Sequence, residues 1–152
     1  DTRVIVEPGI DAREIEIAVL GGDEPAVFDP GEVVVRSEFY SYEAKYLDPA
    51  GAELSIPADI PSIVRERSRE IARKAFISGD CYGFARIDLF LEQDSGDIYL
   101  NEINTIPGFT RISMFPKMAE AGGVPYPELL RRLIELAKER QRERDALRYE
   151  FR

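Results

Sequence analysis

Hydrophobic and polar residues alternate along two neighbouring segments in the second half of the chain, residues 84–92 and 98–104. Alternation of this kind is typical of strands that bury one face. The residues between them, Gln93-Asp94-Ser95-Gly96-Asp97, are mostly turn formers. The pattern therefore predicts an antiparallel hairpin over residues 84–104.

Hydrophobic periodicity and turn-forming residues predict the other elements. They predict strands at residues 2–6, 13–20 and 32–36, and helices at residues 61–78, 113–121 and 126–148. Residues 23–31 and 37–58 show no sustained period and are predicted to be loops. In the last helix the predicted buried face consists of Leu129, Leu130, Leu133, Ile134 and Ala137.

Four polar residues of the predicted hairpin share one face. If Ser95 is the centre of the turn, Asp88 lies opposite Glu102 and Arg86 lies opposite Asn104. Like charges directly opposite each other destabilise a sheet, so a cation is expected between the two carboxylates. Two carboxylates and an amide suit Mg²⁺ or Mn²⁺, and an arginine beside them suits a phosphate or an oxyanion. The alternative is an ordinary solvated polar face of an antiparallel sheet.

Composition narrows the classes of function. The chain has 152 residues, enough for one domain with a core, and a net charge of −9, which argues against a nucleic-acid binder. It has no histidine, which excludes histidine metal sites and histidine-based triads, and one cysteine, Cys81, expected to be a small buried residue. The sequence contains no apolar run of membrane-spanning length and no signal segment, so a cytoplasmic location is expected. Because the chain opens on Asp1 within an apparent strand, we expect a fragment of a longer protein.

Several motifs occur in order along the chain and together resemble one family. They are residues 12–21 (AREIEIAVLG), 39–46 (FYSYEAKY), 83–88 (GFARID), 101–110 (NEINTIPGFT) and 126–130 (YPELL). This set resembles the ATP-grasp ligases, and among them most closely the D-alanine–D-alanine ligases. The resemblance covers nearly all of the chain but only about the C-terminal half of the family's usual length. It implies an α+β (α/β) ATP-grasp C-terminal domain over residues 1–152, a largely antiparallel sheet with helices packed on one side.

The resemblance also implies a set of catalytic and metal-binding residues. Asp88, Glu102 and Asn104 match the family's metal ligands, which hold two Mg²⁺ or Mn²⁺ ions with ATP as co-substrate. Arg86 matches the arginine that meets the reacting phosphate and the oxyanion. A backbone N–H of Gly108 matches a donor of the oxyanion hole.

Other matched positions concern the nucleotide and the acceptor. Glu7 and Glu14 match the residues beside adenine and ribose, and Lys45 matches a loop lysine that reaches the phosphates of ATP. Matched acceptor-side positions are Tyr42, Tyr46, Ser113 and Met114. Ser113 and Met114 match the positions that hold the carboxylate of the second D-alanine. Tyr46 matches the position where ligases for D-lactate tend to carry Phe.

The resemblance implies the synthesis of D-alanyl-D-alanine for peptidoglycan through a D-alanyl phosphate. The expected partners are ATP, D-alanine and the N-terminal portion of the same enzyme, in a parent that is a homodimer. Most of the central lid and the N-terminal substrate domain have no counterpart in this sequence, so the chain alone is expected to be inactive. Two alternatives stay open: a ligase of the D-alanine–D-lactate or D-alanine–D-serine type, and a non-catalytic nucleotide- or metal-binding fragment.

Overall fold

The computed structural model describes residues 2–35 and 52–147. The strands within these residues are β1 (Ala12–Gly21), β2 (Ala26–Val27), β3 (Gly31–Val35), β4 (Ala52–Ser55), β5 (Gly83–Glu92) and β6 (Ile98–Asn104). The helices within them are α1 (Ser62–Ser78), α2 (Met114–Ala121) and α3 (Tyr126–Ala146). No helix in this part of the chain is long and apolar enough to cross a membrane.

The strands form one antiparallel sheet in the order β4-β3-β1-β5-β6, and the short β2 pairs with β1. β1 and β5 pair along their whole length, from Ala12 opposite Glu92 to Gly21 opposite Gly83. This long pairing makes β1 and β5 the centre of the sheet. The α+β class and the largely antiparallel sheet that the sequence predicts are confirmed.

Helices cover both faces of the sheet, not one as predicted. Ile15 and Ile17 of β1 pack with Phe76 of α1 on the first face, whereas Ala18 of β1 packs with Phe115 of α2 on the second. The reason is that β1 is buried along both sides from Ile15 to Leu20. Neighbouring residues of a strand point to opposite faces, so a central strand of this kind needs two covering layers.

Three predicted segments differ from the structure. In the predicted loop at 23–31, Ala26–Val27 form the short strand β2, which pairs with β1. Residues 2–6 do not form a strand, and Val4, Ile5 and Val6 are at least 80% exposed. A strand needs a partner to satisfy its backbone, and no described strand pairs with this segment. In the predicted loop at 37–58, residues 52–55 instead form β4, which pairs with β3, while residues 36–51 lie outside the described part.

The buried face of α3 is rotated from its predicted position. Leu129 is fully buried, and Leu133 and Leu136 pack against the same core. The rest of the predicted buried face is exposed, namely Leu130 at 40%, Ile134 at 56%, and Ala137. Two overlapping apolar stripes occur in this helix, and only its contacts with β5 and α2 decide which of them is buried.

Candidate active site

The register of the β5–β6 hairpin places the predicted residues together. Arg86 lies opposite Asn104 and Asp88 lies opposite Glu102, as predicted. Nearer the turn the prediction is wrong by one residue, because Leu89 pairs with Leu100. A β-bulge at this step leaves Asn101 as the extra residue. The bulge therefore changes the register between the turn and the site.

A third carboxylate joins the site from β1. Glu16 lies opposite Asp88 across the β1–β5 pairing, and Asp88 lies opposite Glu102 across the β5–β6 pairing. We call these three residues the acidic row. Glu16 is a residue that sequence reasoning missed, because its alternating position in β1 indicated only a polar face. Its position beside Asp88 follows only from the pairing of β1 with β5.

Arg86 neutralises part of the acidic row. Its Nε donates to Asp88 Oδ1 and its Nη2 donates to Asp88 Oδ2, both at 2.7 Å. The same Nε lies 3.3 Å from Glu16 Oε2. Because the guanidinium is planar and forked, it engages both oxygens of Asp88 at once. The Arg86 and Asp88 side chains are only 19% and 14% exposed, so this ion pair is poorly screened by solvent.

The charges around Arg86 raise its pKa. Burial by itself lowers the pKa of the guanidinium. The hydrogen bonds to Asp88 and the negative charges of Glu16, Asp88 and Glu102 outweigh burial, so the pKa of Arg86 is raised above its ordinary value. Arg86 therefore stays charged at any pH at which the protein is folded.

The loop after β6 is fixed by aromatic packing. The Phe109 ring packs edge-on against Phe84, with 5.4 Å between centroids, and also contacts Phe115 and Tyr126. The Tyr126 hydroxyl donates to the Phe109 carbonyl at 3.0 Å, and Pro107 is buried. The start of the loop is tied to Asn104, whose Oδ1 accepts the Ile106 N–H at 3.2 Å. The segment that carries Gly108 is thereby held between the sheet and both α2 and α3.

Gly108 and the start of α2 are close together. A methyl group on Gly108 would come within 3.1 Å of Ser113 Oγ, so this close approach favours glycine. Ser113 is the N-cap of α2, but its hydroxyl accepts the Thr110 N–H at 3.1 Å instead of capping the helix. Its own N–H donates to the Thr110 carbonyl, and the Met114 side chain is buried in the core.

The remaining predicted residues lie earlier in the chain than the β5–β6 hairpin. Glu14 is exposed and belongs to the same face of β1 as Glu16, two residues away. Glu7 is exposed in the segment before β1 that forms no strand or helix. Lys45, Tyr42 and Tyr46 lie outside the described residues.

The donor chemistry of the site fits a hard divalent cation. Within residues 2–35 and 52–147, no three acidic or cysteine side chains converge closely enough to hold a metal by themselves. The predicted donors are instead two carboxylates, Asp88 and Glu102, and the amide oxygen of Asn104. Directly opposed carboxylates with a nearby amide offer oxygen ligands only, which is the set that Mg²⁺ and Mn²⁺ prefer.

The Arg86–Asp88 ion pair predicts different stability effects for the two carboxylates. Asp88→Asn breaks a poorly solvated fork, so we expect the free energy of unfolding to fall by about 1–3 kcal/mol. Glu102 is exposed, and Glu102→Gln should change it by no more than about 0.5 kcal/mol. Urea denaturation of the chain in metal-chelating buffer measures both. Equal losses for the two variants would contradict the assigned pairing.

Comparison with solved structures shows the same fold in ATP-grasp ligases. The D-alanine-D-alanine ligase from Coxiella burnetii matches with a TM-score of 0.77 and 42% sequence identity, covering 91% of this chain and 35% of that one. The D-alanine–D-alanine ligase from Bacillus anthracis, solved as a complex with ATP, matches with a TM-score of 0.71 and 29% identity, covering 90% of this chain and 43% of that one. The fold is thus that of a C-terminal ATP-grasp ligase domain.

Sequence comparison identifies the family. The model of the family described as "D-ala D-ala ligase C-terminus" matches residues 1–135, and the chain belongs to this family. A curated relative, the D-alanine–D-alanine ligase of Caldicellulosiruptor bescii, is 48% identical over 149 residues, which are 98% of this chain and 41% of the relative. The chain spans about two fifths of the length of the curated relatives it matches. These findings confirm the resemblance predicted from the motifs.

Proposed function

We propose that the chain is the C-terminal catalytic portion of an ATP-dependent D-alanine–D-alanine ligase, which joins two D-alanines through a D-alanyl phosphate for peptidoglycan synthesis. One observation carries the proposal: Asp88, Glu102, Arg86 and Asn104 share one face of the hairpin in the predicted register. Carboxylate activation by ATP needs both a metal site and a cation beside the reacting phosphoryl group. This face supplies candidates for both.

The residues that would hold the metal are Asp88, Glu102 and Asn104. The proposed metal is Mg²⁺ or Mn²⁺, with two ions bound. When bound, the metal neutralises charge on the nucleotide phosphates. Arg86 belongs to the same face and keeps its charge, so its guanidinium can donate to a phosphoryl oxygen and to the oxyanion of a tetrahedral intermediate. The sheet fixes the backbone of all four residues, which keeps their positions steady during the reaction.

Gly108, Ser113 and Met114 are proposed to face the acceptor. The aromatic contacts of Phe109 hold this loop, so the Gly108 N–H can serve as a preorganised oxyanion donor. Both the hydroxyl and the N–H of Ser113 bond to Thr110. The carboxylate of the second D-alanine is therefore proposed to meet the Met114 end of the helix, where the first-turn N–H groups and the helix dipole attract anions.

The nucleotide is proposed to lie across the same face of β1. Glu14 is two residues from Glu16 along this strand, about 7 Å away, and it is exposed and available to ribose hydroxyls. Glu7 would contact adenine, and Lys45 would reach the phosphates. The remaining walls, including the site of the first D-alanine, belong to the N-terminal portion of the ligase, which is proposed as the partner of this chain within a cytoplasmic homodimer.

A hybrid ligase tests the proposed function. In it, this chain replaces the matched 149-residue segment of the Caldicellulosiruptor bescii ligase. We expect the hybrid to form D-alanyl-D-alanine from ATP and D-alanine, with equal release of phosphate, whereas the 152-residue chain alone forms none. The chain alone lacks the opposite wall, so bound phosphates would stay in contact with water.

The outcomes of this experiment separate the alternatives. A hybrid that folds like the relative, binds ATP and forms no dipeptide would favour a non-catalytic binding fragment. Incubation with D-alanine, D-lactate and D-serine together identifies the acceptor. We expect D-alanine over D-lactate, because Tyr46 matches a position where ligases for D-lactate tend to carry Phe. A predominant D-lactate or D-serine product would overturn that assignment while leaving the ligase chemistry intact. Dipeptide synthesis by the 152-residue chain alone would contradict the proposed need for a second wall.

A further inference from the structure

The most tightly held group in the candidate site is the Asp88 carboxylate. Both of its oxygens accept hydrogen bonds from Arg86 at 2.7 Å. The contact between Arg86 and Glu16 is longer, at 3.3 Å. The guanidinium is therefore centred on Asp88 and not on Glu16.

A metal ion and Arg86 compete for the same carboxylate. The fork of Arg86 occupies the two oxygens of Asp88 in the geometry that carboxylates prefer for their partners. A divalent cation that binds Asp88 also repels the positive guanidinium, which is only a few ångströms away. Because of this repulsion, we expect Arg86 to weaken its contact with Asp88 when the metal binds and to move towards another anion.

We propose that Glu16 is a positioning residue that takes over the Arg86 guanidinium when metal binds to Asp88. This inference rests on the proposed function, because it assumes that Asp88 is a metal ligand. Metal binding would then move Arg86 from Asp88 towards Glu16 and leave it beside the phosphoryl group. The same step that completes the metal site would set the orientation of the reacting arginine.

The position of Glu16 suits this role. It lies directly opposite Asp88 on β1, the central strand of the sheet, and is 7% exposed. Its Oε2 is already near Arg86 Nε, so a small rotation of the guanidinium shortens this contact. A buried carboxylate on a central strand moves little, which makes it a better anchor for Arg86 than the exposed Glu102.

The chain contains a matched control pair on the opposite face of the sheet. Glu32 is also 7% exposed. It accepts hydrogen bonds from Arg13 Nε at 2.7 Å and from Arg13 Nη2 at 2.6 Å. Glu32 lies opposite Ile15, whose side chain faces α1 and not the candidate site. Glu32→Gln therefore removes a carboxylate of equal burial from an arginine pair without touching Arg86 or Asp88.

The test is a titration of the full 152-residue chain with MgCl₂, followed by nuclear magnetic resonance of the arginine Nε–H groups. The Arg86 signal is assigned by its loss in Arg86→Lys. In the wild type we expect this signal to shift as Mg²⁺ binds. Glu16→Gln should weaken the apparent Mg²⁺ affinity about tenfold, as loss of a residue that orients a metal site commonly does. Glu32→Gln should leave the affinity unchanged, although both variants lose stability.

The outcomes distinguish the role of Glu16 from the metal site on which it depends. Mg²⁺ binding of equal strength in wild type and Glu16→Gln, or equal weakening by Glu32→Gln, overturns the role of Glu16 and leaves the metal site standing. An Arg86 signal that does not move while Mg²⁺ binds does the same. A wild-type chain with no response to Mg²⁺ overturns the metal site and the inference together. If Glu16→Gln does not fold, Glu16→Asp keeps the charge but shortens the reach, and we expect it to bind Mg²⁺ with intermediate affinity.

Discussion

The double substitution Asp88→Asn and Glu102→Gln is expected to abolish dipeptide synthesis by the hybrid ligase. It removes both proposed anionic metal donors and leaves the Asn104 amide as the remaining proposed donor. A bound metal supplies several kcal/mol of charge stabilisation, so the rate at saturating Mg²⁺ should fall on the order of a thousandfold or more. The rate is followed by release of phosphate and by chromatography of the dipeptide.

Two other acids of the same hairpin supply the control for this experiment. Asp94 and Asp97 lie in the exposed turn between β5 and β6. Asp94→Asn with Asp97→Asn makes the same change in net charge away from the candidate site, and we expect at least half of the parent rate. If the site double variant turns over at the parent rate in saturating Mg²⁺, the metal assignment is wrong.

The hairpin shows how much of the candidate site can be predicted from strand alternation alone. The two opposed pairs, Asp88 with Glu102 and Arg86 with Asn104, follow from the period of two and a turn centre at Ser95. The bulge at Asn101 cannot be predicted from the alternation of polar and apolar residues, because the adjacent residues Asn101 and Glu102 are both polar. The pairs nearest the site are right, and those nearest the turn are off by one residue.

Contacts between distant segments were beyond the sequence pattern. Nothing in residues 12–21 indicates that β1 pairs with β5. The two strands are separated by more than sixty residues along the chain, so local periodicity cannot predict their pairing. That pairing is what brings Glu16 to Asp88 and Arg86. The sequence predicts that Asp88 and Glu102 face each other with a metal cation between them. In the structure, Arg86 also donates two hydrogen bonds to Asp88.

The loop after β6 gives a second example of the same limit. Its proline and glycine indicate a turn, and the family resemblance assigns roles to Gly108 and Ser113. The contacts that fix the loop come from Phe84 and Tyr126, which lie far from it in sequence. Which apolar residues become partners is decided by packing in three dimensions, and single-sequence periodicity carries no information on it.

Arg86→Met is expected to change metal binding and catalysis in opposite directions. Methionine keeps much of the length of the side chain but removes the positive charge from the acidic row. Since the guanidinium no longer competes for Asp88, we expect Mg²⁺ to bind about tenfold more tightly to the chain. In the hybrid ligase the substitution removes the donor proposed for the reacting phosphoryl group and oxyanion, so the rate should fall by about 10²–10³.

The free energy of unfolding of Arg86→Met, measured with and without Mg²⁺, provides a second test of this competition. Without metal, the variant leaves Glu16 and Asp88 poorly solvated and without the charge of Arg86, so its free energy of unfolding should be lower than that of wild type. Added Mg²⁺ should raise the free energy of unfolding more in the variant than in wild type, because a ligand stabilises the folded state by RT ln(1 + [L]/Kd), which is larger when Kd is smaller. Arg13→Met, which breaks the fork to Glu32 on the opposite face, should also be less stable, but Mg²⁺ should stabilise it only as much as it stabilises wild type, so the difference between the two proteins should stay the same. Weaker Mg²⁺ binding by Arg86→Met than by wild type would mean that Arg86 helps to build the metal site instead of competing with it.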